Sequence, residues 1–324
     1  MNLKVLTFFL SGLMAGVTAS AKMPLADSLK IAVTEGTNMA ADLSPDKKTI
    51  AIDLQGTIWT LPADGGLAKP VTDIMGDCRQ PAWSPDGNWI AFHAFWDGGY
   101  HLWMIKKDGS NRRQLTFGVY DDREPHWSPD GKELVFSSDR SGNYDIWKLN
   151  LTTGAVTQLT KNPANEYNPA WSADGLFIAF VSERAEGAGI YAIDAQGKEK
   201  ILSNTPGKLA APAWQPDGSG LVFNVLTTSQ SSLKAVIASN GAEKIISEAA
   251  EDVFPFRVSW FSPTEILYTA DGKLKRRKTD NSVSQEIPFQ ATLTIARRNY
   301  KRKAYDFDNQ YPQAVKGIKG PTVS

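Results

Sequence analysis

The chain of 324 residues is poor in cysteine, in histidine and in net charge, and each shortage excludes a class of protein. One cysteine, Cys78, is present, so no intrachain disulfide can form, the core alone must hold the fold, and we expect Cys78 to be a small buried residue. With 35 basic and 35 acidic side chains the formal net charge is zero. A general nucleic-acid binder needs surplus Lys and Arg, so this class is excluded.

Recognisable catalytic motifs are also missing. The sequence contains no Gly-x-Ser-x-Gly, no His-Glu-x-x-His and no phosphate-cradling Gly loop. Its three histidines, His93, His101 and His126, lack acidic partners at metal-ligand spacing. We therefore assign no catalytic, cofactor-binding or metal-binding residues, and expect His93 and His101 to form a structural pair across a hairpin.

The N-terminus has the features of a secretory signal peptide. Lys4 is followed by an apolar stretch from Val5 to Val17 and by Ala19-Ser20-Ala21, a small-x-small cleavage site. The apolar stretch is short for a membrane span, which needs about 20 residues. Residues 1–21 are therefore predicted to be removed, leaving a periplasmic or secreted protein with no transmembrane segment.

What the sequence has in abundance is a repeat of 40 to 47 residues. Stretches such as "PAWSPDGNWIAF" recur, and the residue before the Ser-Pro-Asp-Gly turn is Leu43, Trp83, Trp127, Trp171, Trp214 and Phe261 in successive units. An apolar triplet follows each turn (Ile50, Ile90, Leu134, Ile178, Leu221 and Ile266 are the first members), and later in the unit come a further strand and a Gly-containing turn. Each unit therefore contains four short strands.

The chemistry of the turn and of the triplet defines how these strands assemble. In Ser-Pro-Asp-Gly, Pro fixes φ and Gly accepts the left-handed conformation that closes the turn. The triplets do not alternate with polar residues, so both faces of each strand must be buried between neighbouring sheets. Four-stranded antiparallel sheets repeated about every 40–45 residues form a β-propeller. We predict an all-β fold, a six-bladed propeller over residues 22–292, with residues 29–34 or 291–296 as the sealing strand.

The C-terminal part, residues 293–324, is predicted to be a linker and the start of a further repeat. Its last residues, Gly320-Pro321-Thr322-Val323-Ser324, are similar to Gln80-Pro81-Ala82-Trp83-Ser84, which precede a Pro-Asp-Gly turn. We therefore expect the chain to be part of a longer protein.

The repeated motif resembles that of the TolB-like propeller family, over residues 36 to about 290. This family includes the translocation component of an envelope complex, propeller caps of serine peptidases and exported amidohydrolases. Residues 34–66 and 287–307 look like the corresponding parts of the amidohydrolases, although Lys47 follows Asp46 where the family usually has Gly. The resemblance implies a non-catalytic N-terminal propeller that gates or docks substrate for a metal-dependent hydrolase domain. The alternative is a stand-alone periplasmic propeller that binds proteins, similar to the translocation component.

A binding surface, if present, is expected at the mouth of the central channel. The connections into three successive innermost strands, "GDCRQP", "YDDREP" and "ANEYNP", are more polar than their counterpart "GKLAAP". The candidate binding residues are Arg79, Asp122, Arg123, Glu124, Glu166, Tyr167 and Asn168. Ordinary solvated loop surface is the competing interpretation. A protein partner, a covalently linked hydrolase domain, or a peptide or small-molecule substrate could occupy such a patch.

Overall fold

The structure, a computed structural model, describes residues 28–73, 76–184, 188–280 and 282–296. The regular elements in these ranges are β-strands, and no helix there is long and apolar enough to cross a membrane. The expected signal peptide and the expected linker beyond residue 296 lie outside the described residues. Residues 28–31 and 293–296 belong to one compact unit, and residues 32–292 belong to a second unit, which contains the repeated sheets.

The described residues contain six antiparallel sheets of four strands, which we name blades 1 to 6. Blade 1 consists of β2 (Ala41–Leu43), β3 (Thr49–Leu54), β4 (Thr57–Pro62) and β6 (Lys69–Pro70). Blade 2 consists of β7 (Arg79–Trp83), β8 (Trp89–Ala94), β9 (His101–Lys106) and β10 (Arg113–Gln114). Blade 3 consists of β11 (Asp122–Trp127), β12 (Glu133–Ser138), β13 (Asp145–Asn150) and β14 (Val156–Gln158). Blade 4 consists of β15 (Glu166–Trp171), β16 (Phe177–Ser182), β17 (Gly189–Asp194) and β18 (Glu199–Ser203). Blade 5 consists of β19 (Lys208–Trp214), β20 (Gly220–Leu226), β21 (Ser231–Ile237) and β22 (Glu243–Ile245). Blade 6 consists of β23 (Ser259–Ser262), β24 (Glu265–Ala270), β25 (Lys273–Lys278) and β26 (Gln285–Ile287).

The first strand of each blade is the innermost one. Within a blade the strands lie in chain order, so the first and the fourth strands form its two edges. The first strands of neighbouring blades contact each other, as β7 contacts β11 and β11 contacts β15, and β2 contacts both β7 and β23. The prediction of four-stranded antiparallel sheets repeated along the chain is confirmed.

The apolar triplets on the second strands form the core between blades. No side chain of these triplets is more than 6% exposed, and Phe92, Phe136, Phe180 and Phe223 are fully buried. Phe180 packs with Val135 and Ile146 of the preceding blade, so one cluster holds two blades together. Burial of each such side chain contributes about 1.5–3 kcal/mol, which explains how a chain without disulfides stays folded.

The Ser-Pro-Asp-Gly turn has the geometry predicted for it. In blade 2 the N–H of Gly87 donates to Ser84 O (2.9 Å), and Gly87 has a φ of 67°. The Ser84 hydroxyl donates to Asp86 Oδ1 and accepts from the N–H of Trp89 (2.9 Å). The turn aspartates therefore have a structural role, because they bind the serine and the backbone of their own turn.

The predicted sealing strand is wrong. Each blade takes its four strands consecutively from the chain, and β27 (Phe289–Ala296) instead lies between β1 (Ser28–Val33) and β5 (Gly66–Leu67) in a separate three-stranded sheet. β27 runs parallel to β5, with Phe289 opposite Gly66.

Side chains join blade 6 to blade 1 instead. The hydroxyl of Ser259 donates to Asp42 Oδ1 and accepts from the N–H of Leu43 (3.2 Å). Lys47, with a φ of 61° at the position of the turn glycine, donates from Nζ to Trp260 O (2.6 Å). The departure of Lys47 from the repeat therefore provides a contact across the junction of the first and last blades.

The alignment of the sixth unit also needs correction by one residue. Trp260 pairs with Ile266, as Trp127 pairs with Leu134 in blade 3, and the register shifts between Trp260 and Ser262. Phe261 is therefore an inserted bulge residue, and Trp260 holds the position that the repeat predicts for Phe261.

Candidate functional site

Four bulge residues line the innermost strands near one end of the channel. Gln80, Glu124, Asn168 and Ala211 have φ values between 50° and 61°. Their N–H groups donate across the boundary to the preceding blade, to Asp53 Oδ2 (2.7 Å), His93 Nδ1 (3.3 Å), Glu124 Oε2 (2.6 Å) and Asn168 Oδ1 (3.0 Å) respectively. A left-handed conformation is unfavourable for residues other than Gly, so the inter-blade hydrogen bonds compensate for it.

Two of these acceptors are titratable groups that burial has perturbed. Burial raises the pKa of Asp53 to about 7, although N–H donors from Gln80 and Ala40 favour its charged form. Burial lowers the pKa of His93 to about 3, and the charge of Arg123 adds to this effect. His93 is therefore neutral at physiological pH, and because Nδ1 accepts a hydrogen bond, its proton lies on Nε2.

The expected pairing of His93 with His101 is wrong. His93 lies opposite Leu102, and His101 lies opposite Ala94, so the two imidazoles are on opposite faces of blade 2. His101 instead approaches Asp97 (3.6 Å) and Asp122 (3.8 Å). His93 serves the boundary with blade 3.

The seven candidate residues lie at the beginnings of innermost strands rather than in the connections. Arg79, Arg123 and Tyr167 occupy equivalent positions, since they pair with His93, Ser137 and Val181 respectively. Asp122 and Glu166 precede two of them, and Glu124 and Asn168 follow. Because side chains alternate along a strand, the seven cannot all face one surface.

Asp122 and Glu166 are buried away from the mouth in ion pairs that recur at the blade repeat. Both are 0% exposed, and each binds an arginine of its own blade: Arg140 Nη2 lies 2.6 Å from Asp122 Oδ1, and Arg184 Nη2 lies 2.6 Å from Glu166 Oε1. Blade 2 has Cys78 at this position, as the expected buried thiol, in an apolar cluster against which Trp96 packs. Because blade 2 has an apolar contact where blades 3 and 4 have these ion pairs, we interpret the ion pairs as structural.

The other candidates divide between two places. Arg123, Glu124 and Tyr167 line one cavity of about 230 Å³ between blades 3 and 4, together with Ser137, Tyr144 and Asn165; we call it the mouth patch. Asn168 donates its N–H to Glu124 from behind this cavity. Arg79 lies one blade away, bound to Asp77 (2.8 Å).

The charges of the mouth patch are fixed in place. The Arg123 guanidinium binds Asp121 (2.7 Å) and lies 4.2 Å from the centre of the Tyr100 ring. Glu124 Oε2 accepts from Ser137 Oγ (2.7 Å), while the Tyr167 hydroxyl donates to Glu183 (2.6 Å), and burial raises the pKa of Tyr167. A positive and a negative group thus stand side by side among two tyrosines.

The chemical groups of the mouth patch can form a binding site. The Ser137 hydroxyl of this cavity donates to Glu124 Oε2 (2.7 Å), and Ser137 is only 1% exposed, so this serine is held in a buried hydrogen bond. Within the described ranges, no group of three His, Cys, Asp or Glu side chains could hold a metal ion. A guanidinium, a carboxylate and aromatic faces can instead position a polar, peptide-like ligand.

Sequence reasoning missed Ser137 and Tyr144, which come from β12 and from the connection into β13. Neither belongs to the polar connections used as the signal. The pairing of β11 with β12 places Ser137 opposite Arg123, and Tyr144 lines the same cavity from immediately before β13. Asn165 lies in the polar connection "ANEYNP", next to the candidate residues named from it.

Four-stranded antiparallel blades that meet through their innermost strands, with cavities along those strands, define the molecule as a β-propeller. The family model of the TolB beta propeller domain matches residues 31–160 and 125–200. The chain therefore belongs to the TolB-like β-propeller family.

Solved structures agree with this fold. TolB from Acinetobacter baumannii has a TM-score of 0.63 and 20% identity, over 78% of this chain and 66% of that one. A protein assigned as TolB from Agrobacterium tumefaciens has a TM-score of 0.62 and 20% identity, over 71% and 86%. A puromycin-hydrolyzing peptidase of Mycobacterium tuberculosis has a TM-score of 0.57 and 14% identity, over 81% of this chain but 45% of that one. No curated protein matches the chain.

Proposed function

We propose that this chain is a non-catalytic docking propeller of an exported protein, and that the mouth patch holds a peptide-like segment presented to a hydrolase domain. The observation that carries the proposal is the pairing of Arg123 and Glu124 beside Tyr144 and Tyr167 in an open cavity. The partner is an amidohydrolase-like domain, on the resemblance of residues 34–66 and 287–307.

The length of one similar protein supports a propeller that works beside a hydrolase. The puromycin-hydrolyzing peptidase has a region similar to this chain, and that region is less than half of its length. Export is supported by residues 1–21, and the mass of the mature protein tests it: a chain beginning at Lys22 is expected in the extracytoplasmic fraction.

The binding experiment uses two capped tetrapeptides, acetyl-Ala-Lys-Glu-Ala-amide and its uncharged counterpart with Gln at both central positions. The charged peptide should bind more tightly in calorimetry, because its Lys and Glu complement Glu124 and Arg123. Arg123→Met should weaken its binding about tenfold or more, the effect of losing a hydrogen bond to a charged group. Arg113→Met, an exposed arginine on the outer strand of blade 2, is the matched control.

Equal affinity for the two peptides, or unchanged binding by Arg123→Met, would contradict the docking role. Turnover of an amide or ester by the purified chain, abolished by changing His93, would contradict its non-catalytic nature.

A stand-alone interaction propeller is the second candidate, favoured by the match to 86% of the length of a protein assigned as TolB. A photo-crosslinking residue in place of Tyr144 separates the two in cells. A crosslink to later residues of the same polypeptide supports the joined hydrolase domain, whereas a crosslink to a separate protein supports the stand-alone propeller.

A further inference from the structure

A second, larger cavity lies at the other end of the innermost strands, on the side of the Ser-Pro-Asp-Gly turns. This cavity, which we call the funnel, has a volume of about 420 Å³ and is lined by residues of all six blades. Its walls are five tryptophans at equivalent positions: Trp83, Trp127, Trp171, Trp214 and Trp260. Its volume is within the range of small-molecule sites, which are lined mainly by apolar and aromatic side chains.

The tryptophans are fixed by contacts between blades. The indole N–H of Trp127 donates to Ala82 O (3.0 Å), and that of Trp214 donates to Ala170 O (3.1 Å). The backbone N–H groups of Trp83 and Trp171 donate to Asp42 (2.7 Å) and His126 (3.1 Å) of the preceding blade, which fixes the main chain from which these two indoles project. The apolar wall is thus preformed.

The funnel contains one guanidinium, that of Arg257, near the axis. Arg257 lines the funnel and also a small cavity of about 30 Å³ further along the channel. Its Nη2 donates across the ring to Pro169 O (2.7 Å), and its buried Nε has no hydrogen-bond partner among the described residues. Burial lowers the pKa of Arg257 to about 10, so it remains charged at neutral pH.

Arg257 forms no ion pair with a carboxylate among the described residues, although the charges of Asp42, which also lines the funnel, and of Glu124 act on it. The two oxygens of Asp42 accept from Ser259 and from the N–H of Trp83. Lys47 adds a second positive charge to the lining of the funnel.

His126 adds a hydrogen-bond donor beside Arg257. Burial lowers its pKa well below the ordinary value, and the charge of Arg257 contributes. Because Nδ1 of this neutral imidazole accepts from Trp171, the proton lies on Nε2, which has no hydrogen bond to the described residues. The equivalent residues in blades 2, 4 and 5 are Ala82, Ala170 and Ala213, so three other blades fold without a polar side chain at this position.

We infer that the funnel is a binding site for an organic carboxylate with an apolar or aromatic body. The carboxylate accepts hydrogen bonds from Arg257 and from His126 Nε2, and the body packs against the tryptophans. The site lies at the opposite end of the innermost strands from the mouth patch, and none of its proposed ligand contacts is made by a residue that lines that patch.

The test uses phenylacetate and the peptide acetyl-Ala-Phe with a free carboxylate, each compared with its amide. Binding to the full chain is followed by tryptophan fluorescence and by calorimetry. Both acids, or one of them, should bind at least about tenfold more tightly than the matching amide, the effect expected of a charged hydrogen bond. Binding of phenylacetate alone indicates a small organic acid as ligand, and binding of the peptide alone indicates a polypeptide C-terminus.

Arg257→Gln should lose about tenfold or more in affinity for the acid while leaving the amide unaffected. His126→Ala, which introduces the residue found in blades 2, 4 and 5, should lower the affinity for the acid about threefold to tenfold. This variant tests the inference if Arg257→Gln does not fold. Arg123→Met in the mouth patch should bind as the unmodified protein does. Equal binding of acid and amide, failure of both acids to bind at millimolar concentration, or full affinity in His126→Ala and Arg257→Gln would overturn the inference.

Discussion

Asp53 should make the folded protein less stable as the pH rises from 5 to 8. This carboxyl is 1% exposed, and its oxygens accept from the N–H groups of Ala40 (2.7 Å) and Gln80 (2.7 Å). Burial raises its pKa from 3.8 to about 7. Asp53 therefore lies at the boundary of blades 1 and 2 in a site that favours its protonated form.

Whether the free energy of unfolding rises or falls with pH depends on the number of protons bound by the folded and by the unfolded state. Between pH 3.8 and about 7 the folded protein holds this proton and the unfolded chain does not, so the free energy of unfolding falls as pH rises. Each pH unit costs about 1.4 kcal/mol, so the loss between pH 5 and pH 8 is about 3 kcal/mol.

Denaturant unfolding at several pH values, on the unmodified protein and on Asp53→Asn, measures this loss. The amide cannot titrate and leaves one N–H donor unsatisfied, so the variant should carry a constant penalty of about 1–3 kcal/mol. The difference in stability between the two proteins should therefore shrink or reverse by about 3 kcal/mol from pH 5 to pH 8. Subtraction removes the contributions of His93 and His126, which both proteins share.

Asp217→Asn is the control, because this exposed turn residue has a lowered pKa and is charged throughout the range. A difference between the unmodified protein and Asp53→Asn that stays constant with pH, or that grows, would refute the reasoning about Asp53.

Three further predictions concern stability. Because the pKa of His93 is lowered to about 3, the unfolded chain binds more protons at this residue below pH 6.5, so the contribution of His93 to stability should rise with pH between 4 and 6. The stability of the unmodified protein relative to His93→Gln, measured in urea, should therefore rise over this range, and a constant difference would contradict the reasoning. Gly131→Ala, at a φ of 70°, should cost about 1 kcal/mol and lower Tm, and an equal or higher Tm would show that the turn tolerates Cβ. Arg184→Ala should lower the free energy of unfolding by about 3–5 kcal/mol, because it leaves the Glu166 carboxylate buried without its partner. The double variant Glu166→Leu with Arg184→Ala should regain most of this stability in the same urea titrations. Similar losses for the single and the double variant would contradict the buried charge as the cause.

The double variant has a precedent within the chain. Leu209 of blade 5 occupies the position of Glu166, since both come two residues before the bulge residue of their innermost strand. Asp122, Glu166, Cys78 and Leu209 thus fill one structural position with either an ion pair or apolar packing. Asp122 and Glu166 contribute to the polarity of "YDDREP" and "ANEYNP". The sequence analysis used this polarity to predict exposed binding residues, and it therefore included these two buried ones.

The sequence by itself determined the strands, the turns and the core, because each of these depends on neighbours within one repeat. The sequence of a single repeat is enough to recognise the proline and glycine at fixed places in the turn and the apolar triplets that are buried on both faces. The tertiary structure alone decided how blade 6 meets blade 1, which candidates share a cavity, and that Arg257 reaches Pro169 across the channel. These contacts join residues that lie far apart in the chain, and their proximity depends on the angle between packed sheets, which no local pattern encodes.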